Sequence, residues 1–322
     1  MEGLWRAEIS LVTLVQDVPS WLGTLLRVVS ELGVVGLYLA ASAVLYWCVA
    51  PRLGIRIALL MLSGAALYSA FKLVTHAPRP YWFSPAVLPY GTEPSFGLPS
   101  GHATTSASAW GLIVARAPAA RGRVVTLALA VVALVGLSRV YLGVHFPTDV
   151  LGGWLLSFAL LAVFIRYERP VVARWRTYPP AVQILLALVA SSLPLLIAGV
   201  ADAAWQPWAW PAGWNGAMPS GDLGSVEPVA GAAGGLLGVL SGLTWLGRRG
   251  GYRVTGTRPI RLARLATGIA GAALIWFLTG LVPGATGTAG EYVRYALEAF
   301  WVTAGAPLTF AALGLREREQ SR

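Results

Sequence analysis

The chain has 322 residues, of which 56% are hydrophobic and only 12% are charged, and its mean hydropathy is +0.65. This composition excludes an ordinary soluble domain and indicates an integral membrane protein. The formal net charge of +10 would suggest a nucleic-acid partner in a soluble protein, whereas in a membrane protein basic residues mainly set the topology. The single cysteine, Cys48, excludes a disulfide framework and a thiolate metal site.

The first 32 residues combine apolar side chains such as Trp5 and Trp21 with charged ones such as Arg6 and Asp17. They are too polar for a membrane span, and we expect amphipathic helices that lie at the membrane interface. A basic segment, an apolar segment and a small-residue cleavage site do not follow one another there. We therefore expect no cleaved signal peptide.

The rest of the chain contains about nine stretches that approach the roughly 20 apolar residues needed to cross a bilayer. We therefore expect an all-α fold, a polytopic transmembrane helical bundle. The predicted spans lie near residues 33–50, 55–73, 103–116, 122–141, 148–166, 180–200, 229–247, 264–282 and 296–314. A glycine stripe in the seventh span predicts close helix packing. Its members are Gly231, Gly234, Gly235, Gly238 and Gly242.

Most basic residues fall in alternate loops of this arrangement, and by the positive-inside rule those loops face the cytoplasm. The charge balance is then explained by topology, and we expect no nucleic-acid partner. The basic residues assigned to this face are Arg52, Arg56, Arg116, Arg121, Arg123, Arg166, Arg169, Arg174, Arg176, Arg248, Arg249, Arg253, Arg258, Arg261, Arg264, Arg316, Arg318 and Arg322.

Three short blocks fall on the opposite, extracytoplasmic side. The block K-x6-R-P begins at Lys72, which is the only lysine, P-S-G-H ends at His102, and S-R-x5-H-x3-D runs from Ser138 to Asp149. Each block borders a predicted span at the same membrane face, so the three can meet in space. Charged side chains near the membrane are costly unless they are paired or wet, and the blocks therefore indicate a functional site.

The residue types in these blocks suit a phosphate. Lys72, Arg79 and Arg139 can donate charge-assisted hydrogen bonds, and the guanidinium forks match pairs of phosphoryl oxygens. Ser100 and Gly101 precede an apolar helix, where an N-cap hydroxyl and free backbone N–H groups favour an anion. Ser100 can therefore act as an N-cap or as a phosphate donor, and Gly101 shapes the turn.

The motif histidines suit covalent catalysis. His145 and Asp149 are four residues apart, so the carboxylate can reach one imidazole nitrogen, fix the tautomer and leave the other nitrogen free to attack phosphorus. His102 remains as the acid that protonates the departing oxygen and then as the base that activates water. The alternative is an interfacial salt bridge between Arg139 and Asp149 with no catalytic role.

Together the three blocks resemble the type 2 phosphatidic acid phosphatase superfamily, whose motif they match at every defined position. The motif-bearing resemblance covers roughly residues 33–166, and the C-terminal half is similar to an extension in some bacterial members. The resemblance implies that the phosphate is held by Lys72, Arg79, Ser100, Gly101 and Arg139. It also implies that His145 forms a phosphohistidine, that Asp149 orients it, that His102 is the general acid, and that no metal ion or other cofactor takes part.

The implied function is hydrolysis of a membrane-lipid phosphate ester or diphosphate at the outer face of the cytoplasmic membrane. An isoprenyl diphosphate such as undecaprenyl diphosphate fits that location, and phosphatidate-type lipids remain open. Two alternatives are a lipid phosphotransferase with the same site and a lipid transporter or scramblase. We expect an interfacial segment at 1–32, a catalytic core at 33–170 and a transmembrane extension of unknown role at 171–322.

The region between the first two blocks carries further expectations. Residues 84–98 can cover the site as a lid. The aromatic run 81–83 predicts a belt at the lipid boundary or, alternatively, an entrance for a lipid tail. We expect a loop or interface role for His76. A second Pro-Ser-Gly, at 219–221, is followed by Asp222 in place of histidine and is interpreted as a turn.

Overall fold

The computed structural model describes residues 2–116, 121–217, 223–254, 256–284 and 286–315, and every regular element within these ranges is helical. The predicted all-α class is confirmed. The turn predicted at 219–222 lies outside the described residues, as do Arg316, Arg318 and Arg322 of the predicted cytoplasmic face.

Proline often marks where a helix begins. It opens α4, α5, α8 and α9, where its missing N–H costs no intrahelical hydrogen bond. A 3₁₀ turn, Glu31–Gly33, follows the second helix, and a π-helical turn, Trp301–Gly305, joins the last two. The α-helices in the described ranges are α1 (Glu2–Gln16), α2 (Ser20–Ser30), α3 (Val35–Cys48), α4 (Pro51–Thr75), α5 (Pro80–Phe83), α6 (Gly101–Arg116), α7 (Arg121–Tyr141), α8 (Pro147–Trp175), α9 (Pro180–Trp205), α10 (Glu227–Gly247), α11 (Arg258–Gly280), α12 (Thr288–Phe300) and α13 (Ala306–Ala312).

Six helical stretches of the described chain are long and apolar enough to cross a membrane. They are Pro51–Phe83, Gly122–Tyr141, Pro147–Trp175, Pro180–Trp205, Glu227–Gly247 and Arg258–Gly280. Helices α1 and α2 meet at a bend of 112° and would make a seventh if they formed one broken span. The other predicted spans coincide with shorter helices, namely α3, α6 and the run from α12 to α13. The interfacial position of α1 and α2 stays a prediction.

Residue contacts divide the chain into two compact units. The first comprises Met1–Leu37, Leu67–Arg166 and Leu196–Val226, and the second comprises Tyr38–Ala66, Tyr167–Leu195 and Glu227–Arg322. All three motif blocks belong to the first unit. The division proposed along the sequence, at residues 32 and 170, stays a prediction.

Helices α6 and α8 of the first unit pack closely. A Cβ added at Gly153 would lie 2.6 Å from the backbone oxygen of Ser100, so the two backbones can approach this closely only because Gly153 has no side chain. The Thr104 hydroxyl donates to the Gly153 carbonyl at 3.2 Å, and the hydroxyl oxygens of Ser108 and Ser157 lie 3.0 Å apart. This packing brings the start of α6 beside the first turns of α8.

Helix α1 is tied to the same region by two buried polar side chains. The Glu8 carboxylate accepts hydrogen bonds from the backbone N–H of Thr148 at 2.9 Å and from its hydroxyl at 2.8 Å. The Gln16 amide donates to the backbone oxygens of Leu88 and Tyr141 at 2.7 and 3.0 Å. The N-terminal helix therefore fixes both the start of α8 and the loop that follows α5.

In the second unit, the glycine stripe of α10 packs against α12. A Cβ at Gly234 would overlap the backbone oxygen of Tyr292, and one at Gly238 would overlap that of Ala296. Any side chain at these two positions would force the helices apart. The predicted role of the stripe in close helix packing is confirmed.

Candidate active site

Two cations of the first motif block converge on one hydroxyl. Lys72 lies in the last turn of α4, and Arg79 immediately precedes α5. The Lys72 ammonium and the Nη2 of Arg79 each donate to the Ser95 Oγ at 3.0 Å. Both cations are buried, Arg79 completely. Because two buried positive charges share one neutral oxygen, the site favours an anionic ligand.

Backbone carbonyl groups hold the Arg79 guanidinium in place. Its Nε donates to the Ser95 carbonyl at 2.5 Å, its Nη1 to that of Val144 at 2.7 Å and its Nη2 to that of Phe96 at 3.2 Å. The acceptors come from the loop before α6 and from the loop between α7 and α8. The orientation of the guanidinium is therefore fixed before any ligand binds.

His145 lies between the phosphate-binding cations and a carboxylate. Its Nδ1 is 3.2 Å from the Oδ2 of Asp149, and its Nε2 is 3.4 Å from the Nη1 of Arg79. Because the guanidinium can only donate, the Nε2 faces it as the unprotonated nitrogen, and the Nδ1–H donates to Asp149. The free electron pair of His145 thus points towards Arg79, as expected for a nucleophile at a phosphate site.

Asp149 is held at the start of α8. Its Oδ2 accepts a second hydrogen bond, from the backbone N–H of Phe146 at 3.0 Å, in the manner of a side chain that caps a helix start. Its backbone oxygen accepts from the Ser100 N–H at 2.9 Å. The interfacial salt bridge considered between Arg139 and Asp149 is not formed, because Arg139 pairs with Glu93 and Asp149 with His145.

The electrostatic surroundings keep His145 neutral. Burial lowers the pKa of His145 well below its ordinary value of 6.5, and the charges of Arg79, Arg139 and Lys72 lower it further. At neutral pH the imidazole is therefore unprotonated, which is the form that carries a reactive electron pair.

The second block forms the start of α6. Ser100 is fully buried, and its Oγ lies 3.5 Å from the N–H of Ala103, the position of an N-cap contact. A Cβ at Gly101 would lie 2.9 Å from the Tyr68 ring, so a larger residue would displace the turn. His102 is partly exposed, and within the described ranges it forms no hydrogen bond with the other predicted site residues.

Arg139, in the last turn of α7, is held from two sides. Its Nη1 donates to the Ser30 Oγ at 2.9 Å, and its Nη2 forms an ion pair with Glu93. Its Nε is buried and has no hydrogen-bond partner in the described structure. Arg139 therefore retains a donor for a ligand.

Glu93 is the site residue that the sequence pattern missed. Burial raises the pKa of its carboxyl group, but Arg79, Arg139 and Lys72 outweigh burial and lower this pKa to about 2. The carboxylate is therefore charged at neutral pH and stands among the cations predicted to bind phosphate. A lone acidic residue in the Gly- and Pro-rich loop between two motif blocks was the available signal.

The aromatic run after Arg79 is buried, so neither a lipid-facing belt nor an open lipid entrance describes it. The backbone N–H groups of Gly216 and Ala217 donate to the carbonyls of Trp82 and Tyr81 at 2.9 and 2.8 Å. The Trp82 ring lies 5.9 Å from that of Trp210 and 6.3 Å from that of Trp214. This segment after α9 covers the run, which the sequence pattern did not predict.

His76 packs in the same aromatic group. Its ring stacks on Trp205 at 4.4 Å and lies 4.1 Å from Phe96, and its backbone has a φ of +45°. His76 thus lies in the loop between α4 and α5, away from the hydrogen bonds of Lys72 and Arg79, and its expected loop or interface role is consistent with this position.

All eight predicted site residues lie in the first unit. The structure joins Lys72 and Arg79 through Ser95, and Arg79 and Asp149 through His145, while His102 stands at the edge of the group. The buried members are Lys72, Arg79, Ser100, Gly101, Arg139, His145 and Asp149.

Two parts of the chain match known protein families. Residues 53–172 match the family described as the PAP2 superfamily, and residues 230–318 match the PAP2 superfamily phosphatase transmembrane extension. The first match includes all three motif blocks, and the second begins within α10 and includes α13. Two separate parts of the chain are thus similar to the PAP2 superfamily and to its transmembrane extension. The chain is a multi-pass membrane protein.

Several curated relatives match part of this chain. Phosphatidylglycerophosphatase B of Bacillus subtilis is 38% identical over 94 residues, which cover 27% of this chain and 46% of the relative. Undecaprenyl-diphosphatase of Sulfolobus acidocaldarius is 30% identical over 123 residues, covering 37% and 58%. Phosphatidylglycerophosphatase B of Escherichia coli K12 is 40% identical over 73 residues, covering 22% and 28%. The chain thus spans about half of the first two relatives. No solved structure matches it.

Proposed function

We propose that this chain is a membrane lipid phosphatase that cleaves a phosphate ester or diphosphate through a phosphohistidine on His145. The observation that carries the proposal is the position of His145, which is buried with one nitrogen on Asp149 and the other beside Arg79. The match of residues 53–172 to the PAP2 superfamily supports the phosphatase class. The names of the relatives suggest phosphatidylglycerophosphate and undecaprenyl diphosphate as substrates to test.

In the first step, Lys72, Arg79 and Arg139 bind the oxygens of the transferring phosphoryl group. The Nε2 of His145 forms a bond to phosphorus while the bond to the leaving oxygen breaks. Burial and the charge of Arg139 lower the pKa of His102 to about 3 in the empty site. We infer that the bound phosphate anion offsets the positive charge, so that His102 takes up a proton and gives it to the leaving oxygen. The alcohol, or the lipid phosphate of a diphosphate, then departs. Asp149 stabilises the positive charge that develops on the imidazole ring.

In the second step, water replaces the leaving group. The now neutral His102 takes a proton from this water molecule. At the same time the water oxygen bonds to phosphorus, and the bond between phosphorus and the Nε2 of His145 breaks. His145 returns to its neutral form, and His102 is protonated again. One water molecule is consumed, and the products are the dephosphorylated lipid and inorganic phosphate.

Before substrate binds, the Glu93 carboxylate neutralises part of the positive charge of the site through its ion pair with Arg139. An arriving phosphate competes with this carboxylate for the guanidinium. We place the reaction at the extracytoplasmic face of the cytoplasmic membrane, because the motif blocks border spans on the side opposite to the arginine-rich loops.

The direct test is phosphate release from a panel of detergent-dispersed lipid phosphates in the presence of a chelator. The unchanged protein should release inorganic phosphate without added metal. His145→Ala should lower kcat by at least about 10³-fold, since it removes the nucleophile. His102→Ala should lower it by about 10²- to 10⁴-fold, since it removes the proton donor. Release that requires Mg²⁺, or that survives His145→Ala, would refute the mechanism.

His76→Asn is a matched control for the loss of a buried histidine from the same unit, because asparagine tolerates the positive φ at this position. This variant should keep its activity. Mass analysis of the products distinguishes hydrolysis from transfer. A phosphorylated acceptor in place of free phosphate would indicate a phosphotransferase instead.

A further inference from the structure

A polar cavity of about 280 Å³ opens beside Arg139, on the side of the N-terminal helices. We refer to it as the Ser30 cavity. Of the polar residues that line this cavity, only Arg139 belongs to the three motif blocks. The lining residues from the N-terminal helices precede the family match, which begins at residue 53. The polar side chains that line it are Arg27, Ser30, Glu31, Thr92, Glu93 and Arg139.

The Ser30 cavity adjoins the reacting end of the site. Arg139, which we propose binds phosphate, donates to Ser30 at 2.9 Å and pairs with Glu93, and both partners line the cavity. The 3₁₀ turn that carries Glu31 packs directly on His102. A Cβ at Gly33 would lie 2.7 Å from the Cβ and the Cδ2 of His102. The residue proposed to protonate the leaving oxygen therefore contacts the same short turn that contributes Glu31 to the lining of the cavity.

This arrangement places the leaving group in the Ser30 cavity. The leaving oxygen must lie near His102 to receive its proton, and the phosphoryl oxygens must lie near Arg139. A group attached to that oxygen then meets the turn at 31–33 and the cavity beside it. A cavity of about 280 Å³ has room for a small polar group but not for a long lipid tail.

The charges and hydroxyl groups that line the cavity favour one kind of ligand. The two arginines and two glutamates balance in formal charge, and Ser30 and Thr92 add neutral hydroxyl groups. A second phosphate joined directly to the first would enter next to the carboxylates of Glu31 and Glu93, and like charges repel. A hydroxyl group would instead donate a hydrogen bond to the Glu31 carboxylate, and it would add no charge to the cavity.

Arg27 lies farther out and is exposed, with its guanidinium 5.2 Å from the centre of the Tyr90 ring. It is available to an anionic group that a short polyol separates from the reacting phosphate. The cavity therefore presents, in order, a cation for the reacting phosphate, acceptors and donors for hydroxyl groups, and a cation at its outer part.

We propose that the Ser30 cavity is a leaving-group subsite that binds the hydroxyl-bearing polyol part of the leaving alcohol. The preferred substrate is then a phosphate monoester on a polyol head group, rather than a diphosphate or a monoester without a free hydroxyl. This inference rests on the proposed phosphatase function, and it assigns Glu31 as a specificity residue that contacts the substrate's hydroxyl group.

The test compares three probes in the same detergent. They are phosphatidylglycerophosphate, whose leaving glycerol carries a free hydroxyl, phosphatidate, which lacks one, and undecaprenyl diphosphate. The unchanged protein should have the highest kcat/KM for phosphatidylglycerophosphate. Glu31→Ala should lower this value by about 10-fold, as expected for a hydrogen bond to a charged group. It should leave phosphatidate hydrolysis unchanged and should not reduce diphosphate hydrolysis.

Asp17→Ala is the matched control, because it removes an exposed carboxylate from the same N-terminal segment outside the cavity. It should leave the ratio of the three rates unchanged. As a second measurement, soluble glycerol phosphate should inhibit the unchanged protein more strongly than inorganic diphosphate does. Glu31→Ala should remove that difference.

The inference fails if the protein hydrolyses undecaprenyl diphosphate or phosphatidate at least as well as phosphatidylglycerophosphate. It also fails if Glu31→Ala lowers all three rates equally. Both results leave the phosphatase function standing. Absence of phosphate release from every probe, or release that survives His145→Ala, would refute the proposed function itself.

Discussion

At the scale of single residues, the site is defined by charges that only partly cancel. The buried cations Lys72, Arg79 and Arg139 lie near two carboxyl groups, those of Glu93 and Asp149, and near the neutral His145. The cations hold the Glu93 carboxyl ionised, and together with burial they keep the His145 imidazole unprotonated. The same field that favours an anionic ligand therefore keeps the proposed nucleophile in its reactive form.

This field makes stability depend on pH in a predictable direction. The pKa of His145 lies well below 6.5 in the folded protein and near 6.5 in the unfolded chain. As the pH falls below about 6.5, the unfolded chain binds a proton that the folded protein does not. Folding is then weakened, by up to about 1.4 kcal/mol for each pH unit.

His145→Asn should remove this contribution while it keeps an N–H donor for Asp149. We expect the midpoint of thermal unfolding of the unchanged protein to fall more steeply between about pH 7 and about pH 5 than that of the variant, by a few degrees. Thermal scans at one heating rate measure the difference. Parallel slopes would contradict the assignment of a neutral, buried His145.

At the scale of elements, the contact between α6 and α8 brings the second and third motif blocks together. The start of α6 supplies Ser100 and His102, and the start of α8 supplies Asp149. Their separation is set by Gly153, where the α8 backbone passes the carbonyl of Ser100. Because a backbone atom cannot move aside as a side chain can, this contact leaves no room for a methyl group.

Gly153→Ala should therefore push the two helices apart and lower kcat/KM by about 10- to 100-fold, since small displacements of catalytic groups are costly. The matched control is Gly199→Ala in α9, where nothing lies within 4 Å of an added Cβ. Phosphate-release rates, normalised to folded protein, measure both variants. Equal activity of the two would show that the close contact does not set the catalytic geometry.

At the scale of the whole molecule, the distribution of charge indicates how the chain is inserted. The described helices include six stretches that can cross a bilayer. If the shorter helices α3 and α6 and the run from α12 to α13 are also spans, as the sequence predicts, the arginine-rich loops alternate with the loops that carry the motif blocks. The positive-inside rule then predicts that residues 84–98 lie outside the cytoplasm and that the turn between α8 and α9 lies inside it.

Single-cysteine labelling tests this orientation. Cys48 is buried and can be replaced by alanine to give a cysteine-free background. Ala86→Cys and Thr177→Cys then place exposed thiols in the two loops. A membrane-impermeant maleimide applied to intact cells should label the first, and it should label the second only after permeabilisation. The reverse pattern would overturn the proposed extracytoplasmic site.

The residues of the motif blocks could be predicted because their chemistry is local and their spacing is fixed. The four-residue step from His145 to Asp149 is short enough for the local chain to bring the two side chains together. The lengths of the apolar stretches likewise predicted where helices form, because a helix needs about 20 apolar residues to cross a bilayer whatever the fold. The glycine stripe of α10 followed from the same kind of local pattern.

Glu93, Ser95 and the Ser30 cavity depended on contacts between distant parts of the chain. Ser30 meets Arg139 across 109 positions, and Glu8 meets Thr148 across 140. The burial of the 81–83 run beneath residues 205–217 is equally non-local. The sequence by itself determined the helical class and the membrane setting and led to the prediction of a phosphate site, because periodicity, apolar length and residue type are properties of short segments. The tertiary structure alone decided which neutral and acidic groups surround the cations, because that depends on which helices pack together.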